Sequence, residues 1–124
     1  MDIRRIKIIF FFTFAALLFS CTEYTWAITS SETAKLLASD GAMNDQFGTS
    51  ISVDGDTAVI GAPLEDDGGT DSGSAYVFVR NPIDGIWAEQ EKLTALDAAT
   101  GDKFGSSVSV SGDTAVVSAH QSDD

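Results

Sequence analysis

The chain contains an internal repeat, and this feature constrains its fold more than any other. Residues Lys35–Asp67 align without gaps onto residues Lys92–Asp124, an offset of 57 residues, and 19 of the 33 aligned positions are identical. A repeat of this length is typical of proteins in which similar units stack, because each unit leaves a face that it cannot bury alone.

The pattern within one repeat predicts β-strands. Small polar and apolar residues alternate over residues 50–53, which is the period of a half-buried strand. Residues 57–62 are apolar on both faces, and residues 74–80 are rich in β-branched and aromatic side chains. Four strands are therefore predicted, over residues 50–53, 57–62, 74–80 and 86–95, with turns at Asp54–Asp56 and Asn81–Gly85.

Four antiparallel strands in a unit of this size predict an all-β fold made of β-propeller blades. A β-sandwich with meander connections is the alternative. Residues 32–37 match residues 89–93 in sequence, so a leading outer strand is expected there. We therefore expect one blade over residues 33–96 and the start of a second, truncated blade over residues 97–124.

The N-terminus has the pattern of an export signal. Three basic residues lie within the first seven, and an uncharged run follows over residues 8–19, short of the roughly 20 residues that span a bilayer. This pattern predicts a helical signal peptide over residues 1–27. Cleavage after Ala27 and a lipobox-like cleavage that leaves a lipid on Cys21 both remain open. Either predicts an exported protein that is periplasmic, anchored in the outer membrane or extracellular, and that meets the membrane only through this segment.

Three short motifs occur in the order Phe-Gly, Gly-Ala-Pro and Tyr-Val-Phe. This order resembles the FG-GAP repeat, the blade unit of the integrin α-subunit propeller and of many exported bacterial proteins. The second copy keeps the Phe-Gly pair but has Ser118-Ala119-His120 in place of Gly-Ala-Pro. The motif residues are Phe47, Gly48, Gly61, Ala62, Pro63, Phe104 and Gly105. We expect Phe47 to anchor the stacking of blades and Gly48 to let a neighbouring backbone approach.

The resemblance also implies a calcium loop between the first two strands of a blade, and here the sequence departs from the family. That connection is only Asp54-Gly55-Asp56, whose two carboxylates cannot supply the six to eight oxygens that calcium prefers. A different acidic cluster lies in the loop Leu64–Gly73 and consists of Glu65, Asp66, Asp67 and Asp71. It is either a solvated loop held open by like charges or a site for calcium or another divalent cation.

Composition limits the remaining chemistry. The chain has 7 Lys and Arg against 19 Asp and Glu, a net charge of −12, which argues against nucleic-acid binding. One Cys and one His exclude a multi-cysteine zinc site, and we find neither a nucleophile elbow nor a phosphate-binding glycine loop. We therefore expect no enzymatic activity.

Together these features predict an exported, non-catalytic FG-GAP β-propeller module that binds a protein or a cell-surface ligand and is a fragment of a longer propeller. Its contacts are expected on the loops Leu64–Gly73 and Asn81–Gly85, at one face of the propeller. The alternative is a structural cell-envelope protein without a specific ligand, held by a lipid on Cys21. A third hypothesis is a divalent-metal-stabilised domain within a larger enzyme or adhesin.

Overall fold

A computed structural model describes residues 32–120. The predicted signal peptide, its helix and Cys21 lie outside these residues, as do residues 121–124. Within the described part of the chain, no helix has the length and hydropathy needed to cross a membrane. The strands are β1 (Ser50–Asp54), β2 (Thr57–Ala62), β3 (Ser74–Arg80), β4 (Trp87–Leu93), β5 (Ser107–Ser111) and β6 (Thr114–Ser118).

The first four strands form one antiparallel sheet in the order β1-β2-β3-β4, which confirms the prediction for one repeat. Strands β2 and β3 have the predicted bounds, and β1 is one residue longer than predicted. Strand β4 is shorter than the predicted 86–95 by one residue at its start and two at its end.

Strands β5 and β6 form a separate two-stranded antiparallel sheet, equivalent to β1 and β2 of the first repeat. Each hairpin has a two-residue turn that begins with glycine, Gly55 with a φ of 57° and Gly112 with a φ of 53°. Glycine is favoured there because a side chain strains a positive φ. The sequence repeat is thus also a repeat of backbone conformation.

The leading strand predicted over residues 32–37 is not formed, since residues 32–38 have no strand structure. Leu36 and Ala38 pack instead against the core of the first sheet. Ser39 gives its backbone N–H and its hydroxyl to the carboxylate of Glu89 on β4, both at 2.8 Å. This segment is therefore held by side-chain contacts rather than by a strand ladder.

The core lies on one face of the first sheet and contains Ala58, Ile60, Ala62, Tyr76 and Phe78. Phe47 packs on it, edge to face with Tyr76 and Phe78, at ring-centroid distances of 5.4 and 6.1 Å. The ring of Phe47 therefore packs on its own sheet, and its expected role in the stacking of blades stays a prediction.

The two loops expected at one face lie at opposite ends of the sheet. Loop Leu64–Gly73 connects β2 to β3 where Ala62 pairs with Ser74. Residues 81–86 follow β3 at the other end, where the Arg80 N–H donates to the Asp56 carbonyl at 2.8 Å. An antiparallel meander requires the two loops to lie at opposite ends, because successive connections alternate between the two ends of the sheet. We call these the long-loop end and the short-turn end.

Candidate functional site

The glycines of the repeat motif lie where the second repeat contacts the first. A Cβ placed on Gly61 would overlap the carbonyl oxygen of Gly105, and one placed on Gly105 would overlap the carbonyl oxygen of Ser74. A Cβ on Gly73 would likewise overlap Phe104, whose N–H donates to the Ser72 carbonyl at 2.8 Å. Close approach of two backbones thus explains glycine at 61 and 105, whereas the space beside Gly48 is open.

Polar side chains on one face of β1 complete this contact. Ser50 donates its hydroxyl to the Gly105 carbonyl at 2.8 Å. Ser52 Oγ accepts the N–H of Val110 at 3.0 Å, and Asp54 Oδ2 accepts the N–H of Gly112 at 2.7 Å. We call this contact the repeat interface. It uses alternate residues of β1, so Ile51 and Val53 are exposed on the opposite face.

Two buried aspartates occupy equivalent positions before β1 and β5. Asp45 accepts the N–H of Ala42 at 2.6 Å, and Asp102 accepts the N–H of Ala99 at 2.7 Å. Each carboxylate therefore fixes the loop that leads into the Phe-Gly pair. Neither aspartate was assigned a function from the sequence, although the presence of the same acid at both repeat positions was a signal for one.

The acidic loop Leu64–Gly73 is folded around Glu65, which is buried. Glu65 Oε1 accepts the backbone N–H of Asp67 at 3.0 Å, and Oε2 accepts the hydroxyl of Ser74 at 2.6 Å. The interpretation of a solvated loop held open by like charges is therefore wrong for Glu65. Asp66 Oδ1 accepts the N–H of Asp71 at 2.8 Å, so this pair shapes the exposed part of the loop.

Lys92 contacts three carboxylates, one from the segment before β1 and two from the loop Leu64–Gly73. Its Nζ lies 2.6 Å from Asp40 Oδ2, 3.0 Å from Glu65 Oε1 and 2.5 Å from Asp67 Oδ2. The Tyr76 hydroxyl donates to the other Asp40 oxygen at 2.8 Å, and Lys92 Nζ lies 5.6 Å from the centroid of that ring. We call these five residues the Lys92 centre.

The pKa values at this centre are shifted in the directions that its contacts require. Burial alone would lower the pKa of Lys92, but its hydrogen bonds to Asp40, Asp67 and Glu65 outweigh burial and raise it. The Lys92 hydrogen bond in turn lowers the pKa of Asp40. Burial, followed by the hydrogen bond to Asp40, raises the pKa of Tyr76. The centre therefore holds a charged Lys92 beside an ionised Asp40 at neutral pH.

The same carboxylates could hold a cation such as calcium, because oxygens of Asp40, Glu65 and Asp67 lie within 4.8 Å of one another. Of the four predicted metal candidates, Glu65 and Asp67 belong to this group, and Asp66 and Asp71 do not. Asp40 was missed because it lies 25 positions before Glu65 in the sequence. The Lys92 ammonium lies among these oxygens, in the place that a metal ion would take.

The loop at the short-turn end carries exposed apolar side chains. Asn81 Oδ1 accepts the N–H of Ile83, and Asp84 Oδ1 accepts the N–H of Ile86, both at 2.9 Å. The Asn81 amide donates to Asp84 at 3.1 Å, so the loop satisfies its own polar groups. Ile83 is 93% exposed and Ile86 64% exposed. Ile86 also lines a shallow pocket together with Val79, Ala88 and Glu89.

Comparison with known families accounts for most of the chain. The FG-GAP repeat matches residues 30–78 and 87–124, which include both copies of the repeat. No curated protein and no solved structure matches the chain. The motif order, the two equivalent hairpins and this match lead to one conclusion, that the chain belongs to the FG-GAP repeat family.

Proposed function

We propose that the protein is an exported, non-catalytic FG-GAP module that binds a protein or a cell-surface ligand through its short-turn end. The observation that carries this proposal is the loop Asn81–Ile86, which holds Ile83 and Ile86 in solvent. Export rests on the signal-peptide pattern of residues 1–27.

Two properties of this loop support a binding role. Its hydrogen bonds restrain the backbone before a partner arrives, so little conformational entropy is lost on association. Ile86 lines a pocket together with the apolar residues Val79 and Ala88 and with the polar residues Asn81, Asp84 and Glu89, which gives an apolar centre with a polar rim. Apolar anchors within a polar rim are the usual anatomy of protein interfaces.

The test is capture of envelope proteins from the producing cell by the immobilised full chain, quantified by mass spectrometry. The double variant Ile83→Ser/Ile86→Ser should lose the proteins that the wild type captures. Leu96→Ser is the matched control, because Leu96 is fully exposed but follows β4 at the long-loop end. The proposal fails if the double variant and the control capture the same proteins in the same amounts.

A structural cell-envelope role is the second candidate, favoured by the lipobox-like sequence Leu18-Phe19-Ser20-Cys21. It requires a lipid on Cys21, which labelling of growing cells with a radioactive fatty acid would detect. Label on the wild type but not on Cys21→Ala would support the tether. An unlabelled wild type would remove this candidate and leave the binding proposal unaffected.

We further propose that Lys92 takes the role of a structural cation, so that calcium binds these carboxylates only when the ammonium is absent. Three carboxylates supply fewer oxygens than calcium prefers unless water or two-oxygen coordination adds more. Calorimetric titration of the wild type with calcium should therefore give no binding heat. Saturable heat that disappears in Asp40→Asn would overturn this proposal and support a metal-stabilised domain.

A further inference from the structure

Strand β4 has an open edge that the stacking of repeats does not cover. Among residues 32–120, β4 pairs only with β3, so its other side carries no strand. Strand β5 of the second repeat packs on β1 and β2, through a face of the first sheet. A repeat that stacks in this way covers a face, so the edge of β4 stays open however many repeats stack.

The backbone groups that point to this edge follow from the ladder between β3 and β4. The Asn81 N–H donates to the Ile86 carbonyl at 2.8 Å, so these residues form a hydrogen-bonded pair just before β4. Bonded and non-bonded pairs alternate along an antiparallel ladder. Trp87 and Glu89 therefore belong to non-bonded pairs and turn their N–H and C=O groups away from β3. These groups are donors and acceptors for an added strand.

A β-bulge limits the usable length of this edge. The register between β3 and β4 shifts at Gln90, which is an extra residue on β4. A bulge bends its strand and interrupts the ladder. The regular part of the edge therefore runs from Trp87 to Glu89. It begins directly after Ile86, one of the two exposed isoleucines at the short-turn end.

The charges along β4 favour a basic partner. The strand carries Glu89 and the exposed Glu91, on a chain with a net charge of −12. The two basic side chains of β3 and β4 are paired within the chain, Arg80 with Asp56 and Lys92 with three carboxylates. A basic segment is therefore attracted to this edge, and an acidic one is repelled.

A second copy of the chain does not suit the edge. Antiparallel pairing of two β4 strands about Gln90 would set Glu89 of one copy opposite Glu91 of the other. Like charges directly opposite each other destabilise a sheet. The occupant that fits is therefore a different chain with basic side chains.

We propose that the partner at the short-turn end adds an extended, basic segment to the open edge of β4; this rests on the function proposed above, whose partner it describes. Main-chain hydrogen bonds to Trp87 and Glu89 supply affinity, as in other cases of strand addition. Ile86 lies at the start of the added strand as an apolar anchor. Glu89 and Glu91 favour lysine or arginine on the partner.

The test uses a fluorescent peptide of alternating lysine and valine, whose anisotropy is measured as the full chain is added. One control peptide has glutamate in place of every lysine. The other keeps the lysines and valines but has an N-methyl group on every residue, which removes its backbone donors and keeps its charge. We expect the lysine peptide to bind and the glutamate peptide not to bind. Methylation should weaken binding at least about tenfold, the effect of one or two backbone hydrogen bonds.

Glu89→Pro tests the same contact from the side of the protein. Proline lacks the N–H that an added strand would use, and that N–H points away from β3, so the ladder of the sheet is kept. Glu89→Gln is the matched control, because it removes the charge and keeps the N–H. A folded Glu89→Pro chain, as judged by circular dichroism, should bind the lysine peptide and its methylated form alike. Glu89→Gln should keep the preference for the unmethylated peptide, and the methylated peptide decides the question if Glu89→Pro does not fold.

The outcomes separate this proposal from the binding function itself. Absence of lysine-peptide binding to the wild type would overturn strand addition, as would equal binding of the methylated or the glutamate peptide. Those results leave the capture experiment with Ile83→Ser/Ile86→Ser untouched. If that double variant captures the same proteins as Leu96→Ser while the wild type still prefers the unmethylated peptide, the short-turn site fails and pairing at the edge of β4 is retained.

Discussion

Replacing Lys92 with methionine removes the ammonium that three carboxylates share and keeps most of the apolar stem. The Lys92 side chain is 19% exposed and that of Glu65 is 7% exposed, so the variant leaves Glu65 buried without its counter-ion. Breaking a buried ion pair on one side costs about 3–5 kcal/mol, and the residual exposure of Lys92 favours the lower value. Asp40 and Asp67 can turn towards water, and each adds at most about 1 kcal/mol.

The free energy of unfolding should therefore fall by about 3–5 kcal/mol, and the Tm by at least about 12 °C for a domain of this size. Urea unfolding followed by circular dichroism measures the first quantity directly. Glu65→Gln/Lys92→Met is the matched control, because an amide at 65 still accepts the Asp67 N–H and can donate to Ser74. This double variant should recover most of the loss.

Calcium provides a second readout on the same variant. With the ammonium gone, the oxygens of Asp40, Glu65 and Asp67 are free to accept a cation, so millimolar calcium should raise the Tm of Lys92→Met and leave that of the wild type unchanged. Unfolding of Lys92→Met at the wild-type urea concentration would refute the role assigned to the Lys92 ammonium. A double variant as unstable as the single one would refute the burial of an unpaired Glu65 as the cause.

Two further predictions concern the repeat interface and pH. Gly61→Ala places a Cβ against the Gly105 carbonyl and should cost about 1–3 kcal/mol. It should speed amide hydrogen exchange at Val110 and Gly112. Gly85→Ala is the control, because Gly85 lies at a turn with a φ of 75° and open space beside it, and it should leave this exchange unchanged. Unchanged exchange in Gly61→Ala would contradict the role assigned to that glycine. For pH, the lowered pKa of Asp40 contributes stability above the ordinary aspartate pKa of about 4, and this is lost as pH falls through the folded-state value. The raised pKa values of Lys92 and Tyr76 contribute stability below about pH 10, and this is lost as pH rises further, so urea midpoints should be level from about pH 5 to 9 and fall on both sides. A midpoint that still rises above pH 10 would contradict the alkaline part.

The positions of the strands could be predicted from local sequence, because the residue patterns that indicate a strand span only a few residues. Strand β2 is an uninterrupted apolar run, and β3 combines Tyr, Val and Phe between two turn regions, so their bounds could be predicted. The strand expected over residues 32–37 rested only on their match to residues 89–93, and it is not formed. A strand also needs a neighbouring backbone, and Ser39 bonds to the Glu89 side chain instead.

The Lys92 centre could be predicted only in part. Glu65 and Asp67 were identified as acids in a loop, but charge composition cannot show which acids turn inward. The contact between Lys92 and Asp40 joins residues 52 positions apart, and it exists only because β4 and the segment before β1 both lie against β3. The prediction that loops Leu64–Gly73 and Asn81–Gly85 lie at one face was wrong for a related reason, since the ends of a meander follow from topology rather than from loop composition.

The β5–β6 hairpin has a consequence for how the protein opens. Its strands bury little of their own surface and depend on the repeat interface, whereas β2 and β3 lie in the centre of the first sheet. The hairpin should therefore detach as one cooperative unit at a lower free energy than global unfolding. Its contacts with β1 also join residues more than 50 positions apart, so they form after the local hairpins of the first sheet during folding. In such a partly opened state the Ser50, Ser52 and Asp54 face is uncovered, and a protease would find the segment between β4 and β5 first.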